Sequence, residues 1–380
     1  GFPPFTGGLV GYYAYRMIGY AEPTLHLCSS DVDDFDLMLF DKVIAYDHLS
    51  QKINVIVNMP TDNVLENYGT ARAEIEKIIR LIREPMQLPT AHKHCKPQFT
   101  CNVTKEEYCD MIASGIVDPT KQHIVDGDIF QAVLSRRFET PYTDSLLDAY
   151  RVLRTTNPSP YMVYLHRDDI ELMSTSPETL VRLRNGRLST FPVAGSRPRG
   201  ADKEEDLALE KDLLSDEKEI AEHNMLVDLG RNDIGKLSQF GSVEVTDYQM
   251  IHRYSRIMHI TSVVEGNILP KFDAFDAIST LLPAGTLSGA PKIRACEIIE
   301  ELEPCARGVY GGALGYVDFT GNMDTCIAIR MAVKKNDRVT IQAGGGIVAD
   351  SVPENEYMES QNKAGAVIAA IERAAEVDAD

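Results

Sequence analysis

The stretch Arg307–Ser351, RGVYGGALGYVDFTGNMDTCIAIRMAVKKNDRVTIQAGGGIVADS, decides the fold class. It holds short runs rich in Val, Ile, Ala and Tyr, with turn signals near Thr320-Gly321 and Asn336-Asp337. Runs of this kind joined by a few turn residues read as an antiparallel meander. No helical crossover separates them, as a parallel β-α-β unit would require.

Reading outward from that stretch, the same style recurs. GGLVGYYAYRMIGY and DLMLFDKVIAYDHLSQKINVIVNM near the start read as strands, the second with a hairpin at the polar SQK. FQAVLSRRFETPY is a strand. YMVYLHRDDIELMSTSP and TLVRLRNGRLSTFPVAG are two hairpins, the second turning at Asn185-Gly186. Helical spacing appears over 62–84, SLLDAYRVLRTTN, 204–228, KFDAFDAISTLLP and APKIRACEIIEELEP, and from Pro353 to about residue 375. Thr104-x-x-Glu107 is a capping box expected to open a helix reaching about residue 126. Strands and helices therefore come in separate groups, which is the pattern of an α+β fold with antiparallel sheets. The segment 85–103 carries three prolines and no period, so it serves as a linker. It divides residues 1–90 from a larger unit, 104–380. The chain begins without Met in what reads as mid-strand, so an upstream segment is expected.

Bulk composition narrows the function. Among 380 residues there are 57 acidic and 38 basic side chains, a net charge of −19. Phosphate backbones need a positive field, so nucleic acid is not the partner. An anionic substrate would need a cation or a local cluster of Arg, Lys and backbone N–H groups. No apolar run reaches membrane-spanning length, and no secretory signal opens the chain. Seven scattered cysteines without a Cys-x-x-Cys pair suggest free thiols in a reducing, cytoplasmic setting. The run His92–Cys95 has no second ligand pair at zinc spacing and reads as loop.

Several side chains suggest chemistry. Glu219 and Glu222 lie three apart in SDEKEIAEHNMLVDLG, and Glu356 and Glu359 repeat the device in ENEYMESQNKAG. On helices each pair shares a face. Two such faces can hold one hard cation with oxygen ligands, of which Mg²⁺ is the natural case. Solvated helix starts, with acids favoured by the dipole, are the commoner origin of such a pattern. PAGTLSGAPK, Pro283–Lys292, lacks the contiguous Gly-Lys-Ser/Thr of a P-loop, which leaves a turn able to hold a carboxylate near Thr286. Gly344, Gly345 and Gly346 allow a backbone to approach a ligand closely. Arg330, expected inside the apolar strand CIAIRMAV, calls for an anion, either a ligand or a structural partner. His259 in RIMHITSVV is a core residue or a base. Glu178 in STSPETLV sits at a turn, where an acid of raised pKa could protonate a leaving group.

Taken together, PFTGGLVGY, GDIFQAVLSRRF, NPSPYMVYL, STSPETLVR, PVAGSRPRG, DEKEIAEHNMLVDLGRND, PAGTLSGAPK, RGVYGGALGY, CIAIRM, QAGGGIVADS and ENEYMESQNKA resemble the chorismate-utilising enzyme family, and its anthranilate-forming branch in particular. The motifs follow the family order over most of the chain. The resemblance implies large antiparallel sheets in a sandwich-like core with helices outside. It also implies a Mg²⁺-dependent lyase of tryptophan biosynthesis. Chorismate and ammonia give aminodeoxyisochorismate, then anthranilate and pyruvate. Glu222 and Glu359 would hold Mg²⁺, with Glu219 and Glu356 in support through water. Arg330 and Tyr310 would hold the enolpyruvyl carboxylate, and Thr286 with Gly344, Gly345 and Gly346 would complete an anion cradle. Glu178 would be the general acid and His259 would act at the reacting ring. Ser196 stands where the family usually has Thr.

Two positions separate sibling activities. Gln131 stands where isochorismate and salicylate synthases carry a water-activating Lys, and Ala194 where many aminodeoxychorismate synthases carry a nucleophilic Lys. Both point to ammonia and to anthranilate. The rival readings are an aminodeoxychorismate synthase component, an enzyme that stops at aminodeoxyisochorismate, and a non-catalytic ligand-binding or scaffold subunit. The family pairs its synthase chain with a glutamine amidotransferase subunit in a hetero-oligomer. Tryptophan, its feedback inhibitor, would contact Asn157, Pro158, Pro160, Tyr161 and Met162, together with a Leu-Leu-Glu-Ser-like segment that this sequence does not contain.

Overall fold

The computed structural model describes residues 2–84, 97–113, 128–254 and 257–378. Among them, nine strands form one sheet and seven form another, and every pairing is antiparallel. The first sheet runs, in spatial order, Val193–Pro198, Ile257–Asn267, Arg187–Thr190, Thr179–Arg184, Met323–Ile327, Ala313–Asp318, Gly8–Tyr13 and Phe35–Phe40, and Glu244–Arg253 also pairs with Ile257–Asn267. The second runs Gly289–Ala290, Gln131–Pro141, Arg338–Ile347, Met331–Lys335, Ile170–Ser176 and Tyr161–Arg167, with Thr100–Cys101 beside Gln131–Pro141. Lys42–Asp47 and Lys52–Val57 make a separate hairpin against the helix Val64–Arg83.

The core is layered as an α+β sandwich. Tyr12 and Leu314 of the first sheet meet Leu172 and Met331 of the second in one buried cluster. Helices cover the outer faces. Ala274–Leu281 packs on the first sheet, and Leu146–Thr156 and Pro353–Glu372 pack on the second. Each apolar side chain buried this way contributes roughly 1.5–3 kcal/mol.

The local signals read from sequence appear where turn and cap chemistry demands them. Asn185 (φ 50°) and Gly186 (φ 79°) both adopt the left-handed conformation a two-residue hairpin needs. Thr104 accepts from the Glu107 N–H while the Glu107 side chain bonds back, closing the expected capping box on Lys105–Ile112. The expected continuation of that helix to residue 126 and the run His92–Cys95 lie outside the described residues. The expected single helix over 204–228 is instead two, Lys203–Ser215 and Glu217–Gly235. Asp216, in extended conformation between them, ends one and caps the other through the N–H groups of Lys218 and Glu219.

The meander expected over Arg307–Ser351 does not lie in one sheet. Met323–Ile327 belongs to the first sheet and Met331–Lys335 to the second. Residues 328–330 carry the chain across. Arg330 therefore sits in a break, at φ 49°, and not inside a strand as expected. A second crossing runs alongside in the opposite direction, from Ile170–Ser176 in the second sheet through Pro177-Glu178 to Thr179–Arg184 in the first.

The two crossings hold each other. The Thr175 N–H donates to the Arg330 carbonyl (3.1 Å) and the Ile327 N–H to the Glu178 carbonyl (3.0 Å). The Ser176 hydroxyl donates to the Ile327 carbonyl (2.7 Å) and that of Ser174 to the Ile329 carbonyl (2.8 Å). These bonds satisfy backbone groups that leave the sheet ladders. Ser176→Ala removes one of two donors to the buried Ile327 carbonyl and leaves the Ile329 N–H (2.9 Å) in place. Urea unfolding should show a loss of about 0.5–1.5 kcal/mol, and an unchanged midpoint and slope would refute the role given to these bonds.

Candidate active site

A cavity of ≈ 220 Å³ opens between the sheets at the two crossings. Glu178, Thr286, Tyr310, Arg330, Gly344, Gly345, Gly346 and Lys363 line it. Each comes from a different local device. Glu178 and Arg330 are delivered by the crossings. Thr286 rides the short helix Gly285–Ser288, whose Leu287 carbonyl accepts from buried Arg307 at 2.6 Å. The same guanidinium is ion-paired with Glu303 (2.6 Å) and donates to the Val133 carbonyl (2.6 Å). Tyr310 lies three residues on, its ring 5.7 Å from the Arg307 guanidinium. One buried ion pair thus ties the Thr286 turn, the Tyr310 ring and the strand facing the glycines.

The glycines are required by space. Gly344 and Gly345 lie opposite Ser135 and Leu134 in the ladder. A Cβ on Gly344 would fall 1.9 Å from the Leu134 carbonyl oxygen, and one on Gly345 2.9 Å from the Glu356 carboxylate. The first glycine lets the strands approach, and the second lets the C-terminal helix approach the sheet.

The cavity sets cationic side chains beside a carboxyl of raised pKa. Burial raises the Glu178 carboxyl to about 7, against smaller lowering effects of the Thr286 hydroxyl, which donates to Oε1 at 3.2 Å, and of Lys363. Burial pushes the Tyr310 phenol up to about 12, opposed by Arg307 and Arg330. It lowers Arg330, which Tyr310 and Glu359 partly restore. The guanidinium stays charged and has no hydrogen-bonded carboxylate among the described residues.

Lys363 is the cavity residue that sequence reading passed over. Its ammonium donates to the Gly344 carbonyl (3.0 Å) and pairs with Glu359 (2.6 Å). The i,i+4 spacing from Glu359 was a visible signal.

The four paired glutamates come from two helices. Glu219 and Glu222 lie on Glu217–Gly235, which packs on Val193–Pro198 and Ile257–Asn267, while Glu356 and Glu359 lie on Pro353–Glu372. Burial raises Glu222, and the charges of Glu219 and Glu359 raise it further. Burial and Glu359 likewise raise Glu356, against a hydrogen bond from Ser351. The two helices therefore turn their acids toward one another. Among the described residues no three acidic, imidazole or thiol groups converge closely enough to hold a metal ion as they stand. Glu219 pairs with Arg197 (3.2 Å) and Glu359 with Lys363. Mutual repulsion among half-buried carboxylates with all-oxygen donors is what a hard divalent cation relieves, so the donor set fits Mg²⁺. Asp216 and Glu217 keep the helix-start role, Asp216 as the cap.

The remaining expected residues lie off the cavity. Ser196 and His259 are direct cross-strand partners, so their side chains share a face. A bulge at Gly195, φ 78°, sets that register, and His259 Nδ1 lies 3.3 Å from the Gly195 carbonyl. Burial lowers His259 and the nearby Glu219 charge opposes this, so the imidazole is neutral at pH 7. Glu219 is thus near His259, while Glu359 is near the cavity's Arg330. Ala194 is buried. Gln131 begins its strand with its amide over Gly346, where a Cβ would fall 2.1 Å from Nε2.

Asn157, Pro158, Pro160, Tyr161 and Met162 also lie away from the cavity. Asn157 ends the helix Leu146–Thr156, and Tyr161 and Met162 open an edge strand. The Tyr161 hydroxyl bonds Asp324 (2.7 Å) and Thr179 (2.8 Å), while Met162 is exposed.

Glu178 yields a pH prediction. Its folded value, about 7, lies above the ordinary 4.5. The stability it contributes is complete below pH 4.5 and is lost as pH rises through 7. Glu178→Gln should therefore flatten the fall in urea midpoint between pH 5 and pH 8. Parallel pH profiles for mutant and wild type would contradict the assignment.

The family model for chorismate binding enzyme matches residues 2–369. An anthranilate synthase component 1 from Acetivibrio thermocellus is 48% identical over 385 aligned positions, covering 99% of this chain and 77% of the relative. The crystal structure of anthranilate synthase component I from Streptococcus pneumoniae superposes with a TM-score of 0.86 at 40% identity, covering 97% of this chain and 82% of that one. A menaquinone-specific isochorismate synthase from Escherichia coli shares the fold, with a TM-score of 0.75 at 20% identity over 96% of this chain and 78% of that one. No helix among the described residues is long and apolar enough to cross a membrane. By its sequence, its sheets and its cavity, the chain belongs to the chorismate binding enzyme family.

Proposed function

We propose that the chain is the synthase subunit of an anthranilate synthase, converting chorismate and ammonia to anthranilate, pyruvate and water. One observation carries this reading: a neutral-capable acid, Glu178, shares a cavity with Arg330, Lys363 and Tyr310 beside a cluster of carboxylates. A dianion with a hydroxyl leaving group needs such a combination. Cationic side chains hold one carboxylate, a cation between acids holds the other, and an acid protonates the departing oxygen.

The roles are those the family resemblance implies, and the lining of the cavity supports them. Arg330 and Tyr310 hold the enolpyruvyl carboxylate, with the Gly344–Gly346 backbone and the Thr286 turn completing the cradle. Glu178, with a value near 7, carries the proton that lets the ring hydroxyl leave as water while ammonia adds at the ring carbon beside the one that bears the carboxylate. His259 and Ser196 serve the later loss of pyruvate. Glu222 and Glu359 would hold Mg²⁺, with Glu219 and Glu356 in support through water, and the bound ion would supply positive charge for the ring carboxylate. Gln131 offers no base to activate water and Ala194 no nucleophile, so ammonia is the attacking group.

Residues 104–380 are the chorismate-binding catalytic unit, and 1–90 is the remainder of an N-terminal regulatory or structural subdomain, whose strands Gly8–Tyr13 and Phe35–Phe40 join the first sheet. A cytoplasmic glutamine amidotransferase subunit supplies ammonia in the native hetero-oligomer. The segment Asn157–Met162 contributes to a tryptophan effector site.

Purified chain with Mg²⁺, chorismate and ammonium should yield fluorescent anthranilate and stoichiometric pyruvate. Formation of 4-amino-4-deoxychorismate instead would overturn the reading, and so would an absence of turnover. Glu359→Gln should lower kcat/KM by more than about 100-fold while circular dichroism and Tm stay near wild type. Wild-type rates in that variant would remove the metal assignment.

A further inference from the structure

Arg136 is the largest fully buried side chain described, in the strand Gln131–Pro141. Among the described residues no Asp or Glu pairs with it. Burying a lone guanidinium costs several kcal/mol unless its donors are met. All its hydrogen-bond partners within 3.5 Å lie on a single turn of the C-terminal helix. Nε donates to Ser360 Oγ (2.9 Å), and Nη2 donates to Gln361 Oε1 (2.8 Å) and to the Tyr357 carbonyl (3.3 Å). The cation also lies over three rings, 4.0 Å from the Tyr357 centroid, 4.9 Å from Phe138 and 5.5 Å from Tyr108.

That turn is the one that carries the acids. Glu356 and Glu359 each precede a residue that Arg136 grips, so the guanidinium holds the back of the turn whose front presents carboxylates. The front is itself tight, since only a glycine at 345 leaves room for Glu356. A rotation or axial slip of the helix would displace both acids together. A well-packed apolar side chain would serve stability as well as a buried charge does. What an apolar side chain lacks is directed hydrogen bonds that set the helix's rotation.

We propose that Arg136 is a positioning residue that holds the cation-binding face of the C-terminal helix in register with the cavity. This rests on the Mg²⁺ reading of the four glutamates.

The test is direct calorimetric titration of Mg²⁺ into the full chain, wild type against Arg136→Met and Arg136→Lys, with Tm measured alongside. The expected result is a Kd for Mg²⁺ raised about tenfold or more in both, as for lost support of a metal ligand, while Tm moves by only a few degrees in Arg136→Met. In ammonium-dependent turnover, the Mg²⁺ activation constant should rise by the same factor. A folded Arg136→Met with a Kd within twofold of wild type overturns the proposal. If Arg136→Met does not fold, the Arg136→Lys titration decides by the same criterion. If neither folds, Gln361→Met, which unhooks one arm of the guanidinium from the helix, decides it. Wild-type chain without saturable Mg²⁺ binding would instead overturn the metal reading itself.

Discussion

The rest of the site depends on two antiparallel segments that change sheets side by side. Sheet ladders satisfy backbone groups as they run, and a strand that leaves its ladder exposes several at once. Here the breaks at 177–178 and 328–330 satisfy each other, through Thr175 to Arg330, Ile327 to Glu178, and the hydroxyls of Ser174 and Ser176. Because the breaks coincide, the sheets part locally: Met331–Lys335 keeps an unbroken register on Ile170–Ser176, while an irregularity between Thr325 and Cys326 shifts that of Met323–Ile327 on Thr179–Arg184. The gap between them becomes the cavity, and the residues at the breaks, Glu178 and Arg330, are placed on its wall by backbone geometry.

Charge then explains how a chain of net −19 could accept an acidic substrate. Long-range field opposes the encounter, but screening confines that field to about 8–10 Å at ordinary salt. Inside the cavity the local balance differs. Arg330 and Lys363 line it, and Arg307 lies beneath Tyr310. The four glutamates supply the opposite sign at one side only. As the structure stands, Arg197 and Lys363 each neutralise one of them. A divalent cation in that place would take over the neutralisation and leave the Lys363 charge, still bonded to the Gly344 carbonyl, unpaired in the cavity wall.

Legibility followed the range of the interaction involved. Turns at Asn185-Gly186 and Asn336-Asp337 were readable because few residues tolerate φ near +50°. The Thr104 cap was readable because its partners lie three residues apart. The division of one meander between two sheets was not, since both halves have the same strand pattern and differ only in distant partners. Arg330 was misplaced into a strand for that reason. The helix break at Asp216 is not legible because the acid and apolar spacing continues through it, while Arg197, ion-paired with Asp212, Asp216 and Glu219 around the break, lies on a separate strand. Lys363 was overlooked beside more conspicuous acids. The site residues were found through motif resemblance, not through periodicity, which ranked the acid pairs as ordinary helix starts.

The placement of Glu178 shows why such a site needs the whole sandwich around it. A carboxyl pushed from 4.5 to about 7 withholds stability from the fold at neutral pH. Burial alone supplies the upward push, and the Thr286 hydroxyl and the Lys363 charge restrain it. Those two restraints come from separate elements, the Gly285–Ser288 turn held by Arg307 and the C-terminal helix gripped by Arg136. Moving either one would carry the acid away from neutrality, upward if a restraint is lost and downward if water enters. A value near the working pH is therefore a property of how the two sheets, the turn and the helix close on one another, and the buried arginines are where that closure is held.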